Sequence, residues 1–124
     1  DALQARLVPM AASLILAAAW AAWHAPLFLM DGYYAPFGGP PSPAQFAYDI
    51  LLTTLLITWI YNHTGRSVLA AVLFHFTGNF SGEIVASSET GDMAATVVTT
   101  LVVAAVIASG GLRAKTARRR ITRM

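Results

Sequence analysis

Between Arg6 and Arg113 the charged side chains are few and gathered, so that uncharged apolar runs of nearly helix-spanning length separate them. Such runs constrain a fold more tightly than any single motif. Inside a bilayer a backbone N–H or C=O finds no water, so only helices and closed barrels can cross it. A crossing helix takes ~20 mostly apolar residues. Residues 7–30 contain no Asp, Glu, Lys or Arg, and the runs at 44–61, 68–87 and 93–111 are nearly as clean. These four runs predict an all-α, polytopic membrane bundle with four transmembrane helices. The last is rich in Val, Thr and Ile, which alone would favour a strand, but its length and lack of alternation favour a helix. Composition agrees: 11% of the 124 residues are charged, against roughly 25% in a soluble domain.

The connections are equally legible. Residues 31–43 (DGYYAPFGGPPSP) are dense in Gly and Pro and form a loop, with aromatic rings suited to the membrane–water boundary. Short turns fall at 62–67 (NHTGRS) and 88–92. With four crossings, Arg6, Arg66 and the basic tail share one side of the membrane. Asp31, Asp49, Glu83, Glu89 and Asp92 fall in or near the opposite ends. The excess of positive charge on inner loops makes the basic side cytoplasmic, giving a multi-pass protein of the cell membrane with its C-terminus inside.

The chain reads as one membrane domain, 1–124, ending in a basic tail at 112–124. RAKTARRRITRM invites a nucleic-acid reading, but directly after a span it suits an anchor that touches anionic lipid, so lipids rather than nucleic acid are the expected partners. Arg6 and the run after it also resemble a signal peptide, yet the run exceeds the ~7–15 residues of an h-region. A chain opening at Asp1 suggests that an upstream part is missing. No cysteine is present, which excludes disulfides and thiolate metal sites.

Polar groups within spans are costly and therefore draw attention as functional candidates. His24 stands in WAAWHAP (20–26); His75 and Asn79 stand in FHFTGNFSGE (74–83); Asp49 and Glu83 lie nearer the outer boundary. His75 and Asn79 are spaced i, i+4 and share a helical face. Gly78 and Gly82 form a GxxxG on the adjoining face, where a neighbouring helix is expected to approach. By spacing alone, a structural hydrogen-bonded pair and a catalytic pair are equally good readings of His75 and Asn79. His24 alone reads more simply as an interfacial histidine beside tryptophans, and His63 as a solvated turn residue. Two buried histidines suit a base, a water-positioner or ligands of a divalent metal such as zinc. A catalytic zinc takes three protein ligands, and no carboxylate lies beside His24 in sequence; Glu83 is the nearest candidate. The histidines also differ in height, at ~25 Å and ~10 Å from the inner ends of their helices.

In these motifs the chain resembles the C-terminal half of the CPBP intramembrane protease family, also called Abi. That family includes CAAX prenyl proteases and bacteriocin-processing or immunity proteins. Trp20-x-x-x-His24, extended as WHAPLFL, matches its F/WxxxH motif, and His75-x-x-x-Asn79 its HxxxN motif. Tyr61 to Arg66 (YNHTGR) resembles the turn between them, and LQARL at 3–7 the stretch after its glutamate motif. The resemblance implies an intramembrane endopeptidase acting on a membrane-associated peptide or protein. His24 would help a glutamate activate water, while His75 and Asn79 would stabilise the oxyanion. The family's EExxxR does not occur in the 124 residues, so either the sequence is an N-terminal truncation whose partner helices lie upstream or the chain is a degenerate relative, and alone it is expected to be inactive. Two competing readings remain: a non-catalytic membrane protein of the same fold, such as an immunity or scaffold protein, and a small transporter or proton relay using the same histidines.

Overall fold

The computed structural model describes residues 2–84 and 89–113, the side chains at 37, 82–84 and 89–90 excepted. Among the described residues all regular structure is helical: α1 (Pro9–His24), α2 (Pro43–His63), α3 (Val68–Ile84) and α4 (Glu89–Ala108), with 3₁₀ turns at Ala25–Leu29 and Ala35–Phe37. Pro9–Leu29, Pro43–His63 and Gly91–Ala108 are each long and apolar enough to cross a membrane, whereas the apolar stretch of α3, Val68–Ser81, is shorter. The chain is a polytopic helical membrane protein. The rest of the expected third span, 85–87, and the basic tail beyond Arg113 lie outside the described residues.

Helix ends differ from the sequence expectation by a few residues, two of them for clear local reasons. The first span does not continue as α-helix to residue 30. Pro26 has no N–H to continue the ladder, and the chain tightens into a 3₁₀ turn directly after His24. The second begins at Pro43 because Ser42 caps it, its Oγ accepting from Gln45 N at 3.1 Å; proline at the first helical position loses no bond there. The fourth is described from Glu89, four residues ahead of the expected start.

Helix α2 is central and packs against the other three. Small residues on α1, with Ala12, Ser13 and Ala17 all buried, allow close approach to it. Ser13 Oγ lies 2.8 Å from Thr58 Oγ1 and 2.8 Å from the Pro9 carbonyl, which ties α1 to α2 without leaving a buried hydroxyl unpaired. Leu52, Leu55 and Leu56 of α2 meet Val103, Val106 and Leu112 to form the apolar core. Contacts Ser13–Thr58 and His24–Phe46 make α1 and α2 antiparallel; contacts Tyr48–Thr100 and Trp59–Gly111 make α2 and α4 parallel. Arg6, Arg66 and Arg113 therefore lie at one end of the bundle, and Asp31, Asp49 and Asp92 towards the other.

The end of α4 depends on two glycines. Gly110 has φ +77°, its N–H donates to Ile107 O at 2.9 Å, and the N–H of Gly111 donates to Val106 O at 2.9 Å. This pairing satisfies two last-turn carbonyls. A Cβ on Gly111 would meet Trp59 Cδ1 at 2.7 Å, Trp59 Nε1 at 2.8 Å and Val106 O at 3.0 Å. Gly111→Ala is expected to destabilise the bundle by about 1–3 kcal/mol through overpacking, read as a lower unfolding midpoint in detergent. An unchanged midpoint would show that Trp59 is free to move aside.

Candidate active site

Ser13, Ala17, Trp20 and His24 follow one another at helical spacing and form the stripe of α1 that faces its neighbours. Trp23 points the other way and is 81% exposed, as an indole at a lipid boundary should be. Trp20 is half-buried and its ring meets the His75 ring edge-on, centroids 5.0 Å apart at 71°. The same ring lies 6.0 Å from the His24 ring. The two histidines thus converge on one indole, His75 level with Trp20 and His24 a turn beyond it. That placement accounts for the difference in height: the reach of the Trp20 side chain bridges the helices.

Each histidine has one ring nitrogen occupied. His24 Nδ1 lies 2.9 Å from the Trp20 carbonyl oxygen. A carbonyl only accepts, so Nδ1 carries the proton and, in the neutral ring, Nε2 keeps its lone pair. Asn79 Nδ2 lies 3.3 Å from His75 Nε2; with the amide donating, the neutral His75 ring holds its proton on Nδ1. Each ring therefore offers one defined function, an acceptor on His24 and a donor on His75. The Asn79 amide nitrogen has a second hydrogen that this bond does not use.

His24 is further enclosed by aromatic rings. Its ring is 5.7 Å from Phe46, which packs edge-on against Phe28 at 5.1 Å, and Phe28 lies 5.2 Å from Tyr34. Tyr34, in the loop outside the spans, has its pKa raised by burial and by neighbouring Tyr33. Trp20 was marked in the sequence by its i, i+4 spacing to His24 and by the F/WxxxH motif, whereas Phe46 carried no signal.

That spacing is not a signature by itself. Trp59 and His63 repeat it at the opposite end of α2, with His63 Nδ1 2.8 Å from the Trp59 carbonyl and the rings 5.0 Å apart. His63 is exposed, and its indole packs on the α4 terminus rather than on a second histidine. What sets His24 apart is its company, not its local geometry.

Other expectations are modified. The stripe of α3 faces inward at half-buried His75, but Asn79 is exposed. A Cβ on Gly78 would meet nothing within 4 Å, so among the described residues no helix uses the expected glycine face. Asp49 has a structural setting: Gln45 Nε2 donates to its two oxygens at 3.1 and 3.0 Å, and Thr96 Oγ1 to Oδ1 at 3.2 Å, joining α2 to α4. The side chain of Glu83 lies outside the described residues. No three His, Cys, Asp or Glu side chains gather as metal ligands among the described residues. His24 and His75 make two at most, so this donor set does not complete the three-ligand pattern of a catalytic zinc.

A polytopic helical bundle that brings two histidines to one indole, with an asparagine bonded to the second, defines a class of helical membrane protein with polar side chains meeting between its helices. The family described as "Type II CAAX prenyl endopeptidase Rce1-like" matches residues 1–81, a stretch that includes Trp20, His24, His75 and Asn79. The chain belongs to this Rce1-like family. It is also similar to the CAAX prenyl protease 2 of Methanococcus maripaludis, 31% identical over 110 residues that cover 86% of this chain and 41% of that protein. The chain thus spans about two fifths of the length of this curated relative. No solved structure matches it.

Proposed function

We propose that this chain carries the histidine half of an intramembrane endopeptidase that hydrolyses a peptide bond in a membrane-associated, CAAX-type substrate. The observation that supports this best is the convergence of His24 and His75 on Trp20, with complementary ring nitrogens left available. His24 Nε2, together with a glutamate supplied from outside the described residues, accepts a proton from water as the oxygen attacks the substrate carbonyl carbon. The carbonyl oxygen becomes an oxyanion, and the His75 Nδ1–H donates to it, with Asn79 on Nε2 holding the ring in that tautomer. Donors fixed in a water-poor site stabilise such charge more than they would in water. Collapse of the intermediate breaks the C–N bond, and the proton taken from water passes to the leaving amine. The aromatic rings around His24 limit competing water.

In this reading the end bearing Arg6, Arg66 and Arg113 faces the cytoplasm of a cell membrane, in keeping with the excess of positive charge on inner loops. The test is cleavage of a membrane-anchored CAAX peptide by the full-length protein in liposomes. Cleavage is expected, and His63→Ala should retain it to within about twofold, because surface changes away from a site are usually near neutral. A folded full-length protein that cleaves no such peptide would overturn the proposal. So would a His63→Ala variant as impaired as His24→Ala, since the feature that distinguishes the two histidines would then carry no weight.

A further inference from the structure

A second site, at the opposite end of α1 from His24, has no part in this chemistry. Val8 and Met10 at the start of α1, with Ile107 and Leu112 at the end of α4, line an apolar cleft of about 290 Å³ that also includes Arg113. Arg113 is held there by the α4 terminus. Its N–H donates to Gly110 O at 3.0 Å, and its side chain lies over Gly110, Cδ being 3.3 Å from where a Cβ would stand. A glycine at that position gives the arginine stem room to lie along the cap.

We propose that this cleft seats one anionic phospholipid, an acyl chain between α1 and α4 and the phosphate on the Arg113 guanidinium. Three features select that occupant. The walls are apolar apart from one cation, which matches a molecule with a hydrocarbon tail and a single negative headgroup. Guanidinium pairs with phosphate through parallel N–H···O bonds, a geometry ammonium lacks. The cleft also lies at the end of the spans that carries Arg6 and Arg66, and Lys115, Arg118, Arg119 and Arg120 follow in sequence, so anionic lipid is concentrated where the cleft opens.

The test uses the full-length protein in nanodiscs of phosphatidylcholine doped with phosphatidylglycerol, with co-purified lipid counted by native mass spectrometry. Wild type is expected to retain phosphatidylglycerol over phosphatidylcholine. Arg113→Gln should lower that preference about fivefold, the factor corresponding to roughly 1 kcal/mol per basic side chain. Ile107→Trp, which fills the cleft, should lose the retained lipid of either headgroup while the thermal midpoint stays within a few degrees. Neutralising Lys115, Arg118, Arg119, Arg120 and Arg123 should weaken retention without abolishing the preference. An unchanged preference in Arg113→Gln would overturn the proposal, as would wild type showing none. The readout is lipid retention, so it stands or falls independently of peptide cleavage.

Discussion

In the full-length protein, His24→Ala is expected to slow peptide cleavage by about 10²–10⁴-fold, the range for loss of a positioned general base. The fall should appear in kcat, because an alanine there removes proton transfer without removing substrate contacts. The tautomer makes the expectation sharper. With Nδ1 committed to the Trp20 carbonyl at 2.9 Å, the group that faces water is a lone pair, so a substitute must accept rather than donate. His24→Gln can present an acceptor oxygen but cannot take up a proton, and is expected to be nearly as slow as alanine. A glutamine variant within tenfold of wild type would mean that His24 only orients the water.

Asn79→Ala is expected to cost about 10²–10³-fold in kcat, the usual effect of removing one oxyanion donor, with KM little changed. The loss acts through His75, which no longer has the partner 3.3 Å from its Nε2 that fixes the proton on Nδ1, the donor proposed for the oxyanion. Asn79→Asp reverses that bond: a carboxylate only accepts, so it draws the imidazole proton to Nε2 and leaves Nδ1 without one. It should be at least as slow as alanine. If Asn79 were merely structural, the aspartate variant would recover much of the rate and the alanine variant would show a lowered thermal midpoint instead.

The helices were legible because their cause is local. Long runs without charge leave a membrane chain few alternatives, and each expected span overlaps an observed helix. Helix ends were less legible, since they depend on one residue's chemistry: the missing N–H of Pro26 stops α1 after His24, and the Ser42 cap starts α2 at Pro43. The candidate residues His24, His75 and Asn79 stood out as polar groups in costly places. Their grouping did not, because it rests on the reach of Trp20 across to His75 and on Phe46, contacts that no spacing along one helix reveals. The repeat of the same spacing at Trp59 and His63 shows why a motif read along one helix could not choose between them. Long-range polar contacts such as Ser13–Thr58 and Asp49–Thr96 leave no local pattern at all.

The most direct test is a double-mutant cycle on the full-length protein, comparing cleavage by His24→Ala, by His75→Ala and by the two combined. If both histidines act on one transition state at the cluster around Trp20, each single variant should lose about 10²-fold or more in kcat with KM little changed, and the double variant should be slower than either. A single variant cleaving at the wild-type rate would remove that histidine from the chemistry and contradict the shared site.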